Sequence, residues 1–152
     1  MKKLNRKGFT LIELLAVIVV LAIIIVVTIP SVISSMNNAK TSQLNNAVGT
    51  VTEWFTKQYE LASLGVGVGD GPSPEFKTFV GGEGKNLTTD ETPLNQAVLK
   101  AAGITNPTGL SGIVKLNGSK VCVTLTAGTT SQFYNAEKAN VEGGNTATGS
   151  GC

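Results

Sequence analysis

The sequence predicts an α+β protein in which one long N-terminal α-helix packs on a small antiparallel β-sheet, with a C-terminal region bounded by a disulfide. Three observations predict it. From Leu14 to Ala39 there is no charged residue, and an apolar stripe resumes at Leu44 with helical spacing, so one helix can run past Leu61. Asn117-Gly118 separates two short alternating runs, which is the strongest short-range signal for a hairpin. Two cysteines, Cys122 and Cys152, lie far beyond the apolar segment.

The helix opens on an anomaly. Lys2, Lys3, Arg6 and Lys7 precede it with no acid among them, a flank that stays cytoplasmic by the positive-inside rule and aims the chain outward. At about 1.5 Å rise per residue the uncharged run exceeds the ~30 Å hydrocarbon core of a bilayer. Glu13 stands inside this apolar block, where an acidic side chain costs roughly 2.5–3.5 kcal/mol near the bilayer centre, and it therefore needs a partner. The β-branched run that ends at Ile29, just before Pro30, is the weakest part of the helix. After the polar stretch Ser31 to Gln43, the residues Leu44, Val48, Val51, Phe55 and Ala62 form a stripe that Ala47, Trp54 and Leu61 widen, an amphipathic continuation of the same helix. Gly65 and the irregular stretch from Gly67 to Pro74 end it.

The block Gly8-Phe9-Thr10-Leu11-Ile12-Glu13, behind a basic leader and ahead of an apolar helix, resembles the class III signal peptide of type IV pilins and their relatives. The resemblance is close from Lys2 to about Ala39 and architectural beyond it. It implies cleavage between Gly8 and Phe9 by a prepilin peptidase, N-methylation of Phe9 as the new terminus, and an assembly role for Glu13, whose carboxylate would pair with the Phe9 amine of a neighbouring subunit. The helix-kinking proline of the family falls on Pro30, while the glycine that many members carry ahead of it is Ala22 here. The implied division is a leader at 1–8, a hydrophobic transmembrane and filament-core helix at 9–35, and a globular pilin head at 36–152 that includes the second part of the helix, 36–63. An ordinary signal anchor accounts for the basic flank and the apolar run but leaves Glu13 unexplained.

Composition narrows the chemistry. Of twelve Lys and Arg, four lie in the leader, so eight remain against ten Asp and Glu, a net of −2 from Phe9 onward, and nothing in the charge points to nucleic acid or an anionic membrane surface. Histidine is absent, which removes the usual general base and the commonest metal ligand. No catalytic residue, metal ligand or cofactor is assigned, and the chain is not read as an enzyme. The glycine-rich stretch at Gly67 neither follows a predicted strand nor opens a helix, and the one at Gly81 to Asn86 has Phe79 where the first P-loop glycine would stand, so both read as surface loops. Asn86-Leu87-Thr88 is loop chemistry as well. After Leu125 the carboxylates are Glu137 and Glu142, too few for the roughly six to eight oxygens of a calcium site.

A second helix is signalled by Thr92 as N-cap, Pro93 in the first turn, Leu94, Ala97, Val98 and Ala101 on one face, and Gly103 as stop. Strands follow at Ile113 to Leu116 and Lys120 to Leu125. A two-residue turn at Asn117-Gly118 pairs Leu116 with Ser119, Val114 with Val121 and Gly112 with Val123. That register gathers Leu116, Val114, Val121, Val123 and Leu125 toward the helix and puts Ile113, Lys115, Lys120, Cys122 and Thr124 on the other face. A third strand is expected near Ser131 to Asn135, with Phe133 as its core residue. The tail from Gly143 to Gly151 lacks the apolar residues to fold alone. An even cysteine count in an exported segment favours a Cys122–Cys152 disulfide, which would draw the tail across the outer surface of the sheet.

The leading functional reading implied by the resemblance is a structural subunit. Such a pilin waits as a single-pass protein in the cytoplasmic membrane, is processed and N-methylated, and is polymerised by membrane assembly machinery into the helical surface filament of a type IV pilus. Its partners would be copies of itself, with or without minor pilins, the prepilin peptidase and that machinery; no specific nucleic acid is evident. The alternatives are a pseudopilin of a type II secretion or competence DNA-uptake system, and a membrane-anchored binding module. For the last, Lys77, Lys85, Lys115, Lys120 and Lys138 are scattered without interleaved aromatics and make a poor receptor surface.

Overall fold

A computed structural model describes residues 9–65 and 71–152. The leader at 1–8, with Gly8, and residues 66–70 of the first glycine-rich stretch lie outside the described residues. In chain order the elements are α1 (Leu11–Ser63), α2 (Pro74–Val80), β1 (Thr92–Pro93), α3 (Gln96–Ala101), β2 (Leu110–Asn117), β3 (Lys120–Ala127), a 3-10 helix (Ala136–Lys138) and β4 (Thr146–Thr148). The chain divides into two compact units, Met1–Met36 and Asn37–Cys152.

In the first unit α1 is apolar on every side, and its large side chains from Leu11 to Ile33 are exposed. By length and composition α1 is able to cross a membrane. Pro30 lies inside the helix. Two hydroxyls nearby bond to the helix itself: that of Thr28 donates to the Ile24 carbonyl at 2.9 Å, and that of Ser35 to the Ser31 carbonyl at 2.9 Å.

In the second unit the helix has one buried face. Leu44, Ala47, Val48, Val51 and Phe55 are buried on the predicted stripe, with Trp54, Leu61 and Ala62 half-buried beside it. The five buried residues share one core with Val114, Val121, Val123 and Leu125 of the sheet. At roughly 1.5–3 kcal/mol for each large apolar side chain taken from water, this contact dominates the unit. Rings gather round Phe55: Trp54 at 4.9 Å, Phe79 at 5.5 Å and Phe76 at 6.2 Å between centroids. Phe76 and Phe79 belong to α2, an element the sequence reading left out. Its signals are local, since the Ser73 hydroxyl accepts the Phe76 N–H at 3.2 Å, Pro74 follows the cap, and Gly81 ends the turn at φ +96°.

α3 starts later than expected. Asn95 caps it in place of Thr92, its Oδ1 accepting the Val98 N–H at 2.8 Å. Thr92 and Pro93 instead form β1 at the sheet edge, opposite Val114 and Ile113, where a proline without an N–H is tolerated. The later start turns Val98, Leu99 and Ala102 inward and leaves Ala97 and Ala101 exposed.

The sheet is antiparallel in the order β1-β2-β3-β4. Its hairpin turns one residue later than predicted. Asn117 stays in the strand opposite Lys120, Leu116 faces Val121, Val114 faces Val123 and Gly112 faces Leu125, so the loop is Gly118-Ser119. Gly118, with φ +62°, takes the position that a II′ turn reserves for glycine, and among the described residues only glycines have positive φ. A turn displaced by one residue moves each pairing by two, which preserves side-chain parity. The predicted inner face therefore survives with the wrong register: Val114, Val121, Val123 and Leu125 are all buried.

No strand forms at Ser131 to Asn135, which is a run of turns. Phe133 is nevertheless a core residue, and the buried Asn135 ties the run to α1 by donating from Nδ2 to the Asn37 carbonyl at 3.1 Å and to Thr41 Oγ1 at 3.0 Å. The tail supplies the missing strand. β4 pairs with β3, Leu125 facing Ala147, so the tail extends the sheet edge and does not cross its outer surface. Cys122 and Cys152 are joined by a disulfide across a sequence separation of 30, and Cys122, whose strand position alternates with the inward Val121 and Val123, is buried rather than open to solvent. Closing such a loop is worth roughly 3.5–4 kcal/mol on the chain-entropy account.

Phe55→Ala should lower unfolding free energy by about 3–5 kcal/mol, because Phe76 and Phe79 are anchored on α2 and Trp54 on the neighbouring position of α1, so none can refill the space. Denaturant unfolding of the full chain in detergent, followed by Trp54 emission, measures it. A loss under about 1 kcal/mol would remove Phe55 from the centre of the core.

Candidate assembly and processing site

The residues singled out at the N-terminus are Gly8, Phe9 and Glu13. Gly8 and the scissile bond lie outside the described residues. Phe9 is 92% exposed, and α1 begins two residues later at Leu11. The carbonyl of Thr10 accepts the Leu14 N–H at 3.3 Å, the first bond of the helix, which makes Thr10 its N-cap.

Thr10 and Glu13 then close on each other. Glu13 Oε2 accepts the backbone N–H of Thr10 at 2.8 Å and its hydroxyl at 2.8 Å, and Thr10 Oγ1 accepts the Glu13 N–H at 3.3 Å. This is a capping box, Thr-x-x-Glu, in which cap and third residue satisfy each other's exposed donors. Glu13 was expected to find its partner on another chain; its first partner is Thr10 of the same chain, and Thr three residues before Glu at the head of an apolar run is the signature of this motif.

The arrangement has two chemical consequences. A carboxylate at the first turn faces the positive end of the helix dipole, and it also holds the Thr10 N–H, which would otherwise be bare at the edge of an apolar environment. Both bonds fall on Oε2, and among the described residues Oε1 receives none, so one oxygen is left for an outside donor. Phe9 precedes Thr10, the residue that holds Oε2, by one peptide bond. Pro30 sits inside α1, away from the capping box, and Cys122 and Cys152 are bonded in the second unit. Among the described residues no cluster of three or more Cys, Asp or Glu gathers that could hold a metal ion.

Residues 3–29 match the prokaryotic N-terminal methylation motif, the class III signal peptide of type IV pilins. No curated protein and no solved structure matches the chain. The motif supports a prepilin-type protein, and the long N-terminal helix, the small antiparallel sheet and the C-terminal disulfide are consistent with a pilin-like α+β fold.

Thr10→Val keeps the shape of the side chain and removes the hydroxyl. It should cost the first turn about 1 kcal/mol of helix stability, read as roughly fivefold faster exchange of the Glu13 and Leu14 amides in detergent micelles. Unchanged exchange would show that the box does not hold the helix start.

Proposed function

We propose that the chain is a pilin, the structural subunit of a type IV pilus, with a leader at 1–8, a membrane and filament-core helix at 9–35 and a globular head at 36–152. The reading is supported by a methylation motif at 3–29 together with Glu13, the one acid among the exposed apolar residues from Leu11 to Ile33. In this account a prepilin peptidase cuts between Gly8 and Phe9, and Phe9 becomes an N-methylated terminal amine. Before assembly the span rests in the cytoplasmic membrane, with the head outside. On polymerisation the apolar helices exchange lipid for each other, a change that carries little sequence-specific chemistry.

Specificity then rests on Glu13 and Phe9. The free Oε1 of Glu13 is available to the Phe9 amine of a neighbouring subunit while Oε2 keeps its own cap. Leaving that amine unpaired in an apolar filament core costs roughly 3–5 kcal/mol per contact. Pro30, directly after the β-branched stretch, is the point at which the helix would bend to fit its neighbours. A pseudopilin of a secretion or DNA-uptake system would share the N-terminal chemistry, and filament length and location separate the two.

Electron microscopy of a deletion strain and its complements tests the proposal. Restoring the wild-type chain should restore long surface filaments; short or envelope-confined filaments would point to a pseudopilin, and no filament in either strain would overturn the subunit role. Gly8→Leu should leave an uncleaved membrane precursor and no filament. Glu13→Ala should insert and mature yet yield few filaments, and wild-type yield from it would show that the acid does not dock subunits.

A further inference from the structure

The tail from Asn145 to Cys152 is held mostly by backbone. Ala127 donates to the Asn145 carbonyl at 2.8 Å, β4 pairs with Thr124 to Thr126, and Gly149 donates to the Val123 carbonyl at 2.8 Å. The Asn117 amide then grips its end, donating to the Cys152 carbonyl at 3.0 Å. Its apolar contribution is small, with Ala147 its buried apolar side chain besides the disulfide. Its seat is shaped for glycine: a Cβ on Gly149 would lie 2.6 Å from Thr52 Oγ1, and one on Gly151 would overlap the Val121 carbonyl. Beneath it runs the edge of β3, Val121 to Ala127, a β-branched segment with no charge, glycine or proline. An open edge of that composition is a template for another strand.

We propose that Asn145 to Cys152 is a disulfide-latched strap over the β3 edge, and that with the latch open the vacant seat takes the strap of a second copy of this chain by strand exchange. The seat selects that occupant because it accepts glycine at two set positions and presents Cys122 where Cys152 arrives. A dithiol opens the latch: the Cys122–Cys152 S–S bond breaks, the dithiol gives up two electrons and two protons to make two cysteine thiols, and it closes to a cyclic disulfide. Oxidised glutathione closes the latch. The Cys152 thiolate attacks it and releases one glutathione thiolate; the Cys122 thiolate then displaces the second and forms the protein disulfide. After exchange, Cys152 of one copy closes on Cys122 of the other. None of this rests on the filament reading.

The test mixes full-length Cys122→Ser and Cys152→Ser chains in detergent with oxidised glutathione and resolves them on a non-reducing gel. Seating of one chain's strap on the other brings the two remaining thiols together, so the mixed disulfide dimer should exceed the homodimer of either variant alone by roughly tenfold or more. Equal yields would mean random collision and overturn the proposal. Hydrogen exchange of the doubly substituted chain gives the second readout. Thr146 to Thr148 should exchange roughly tenfold faster while Val48 to Phe55 and Leu110 to Asn117 keep their protection. Loss of protection in all three, or in none, would contradict a separable strap.

Discussion

The head depends on one packing contact, the stripe of α1 against the inner face of the β2–β3 hairpin. Val51, Phe55, Val114, Val123 and Leu125 have no exposed surface, and the remaining elements extend this contact. α2 brings Phe76 over Phe55, α3 brings Leu99, and the turns after β3 bring Phe133. Each is short, and none buries enough to stand by itself. A unit of this size has a net stability of about 5–15 kcal/mol, so the roughly 3.5–4 kcal/mol assigned to the disulfide is a large fraction of it.

The first unit answers a different constraint. Its helix has no apolar face to hide because all of its faces are apolar, and in lipid every backbone donor must be satisfied within the segment. The vulnerable point is the N-terminus, where the first turn has bare N–H groups. Thr10 and Glu13 meet that need with each other, so the carboxylate that looks misplaced in the sequence is part of how the helix begins. A residue used this way need not be unpaired in the single chain to take a second partner in a filament, since one of its oxygens is uncommitted among the described residues.

How much was legible in the sequence follows from the range of each signal. The long helix and its buried stripe were readable because periodicity accumulates over many residues. The hairpin faces were readable for the same reason, whereas its register depended on one turn: Asn-Gly suggested both residues in the loop, but Asn117 keeps extended backbone and its amide holds the tail. Thr92-Pro93 looked like a helix start because cap chemistry is local, and only pairing with β2 shows it to be a strand. The tail was misplaced for a related cause. Its two seated glycines carry no hydrophobic pattern, and the meaning of their small size appears only against Val121 and Thr52. At the candidate site Glu13 was found by its anomaly, and Thr10 was missed because a cap looks ordinary until its partner is in view.

The two units thus solve separate problems with separate chemistry, one by hydrogen-bonding a helix start and the other by burying a stripe and strapping a sheet edge. What unites them in the account is a chain made as a precursor. Intact-mass and N-terminal peptide analysis of the protein isolated from its native membranes tests that most directly. The account predicts a mature chain that begins at Phe9, carries one methyl group on its amine and has no free thiol. A chain that still begins at Met1, or one cut elsewhere with an unmodified terminus, would contradict it.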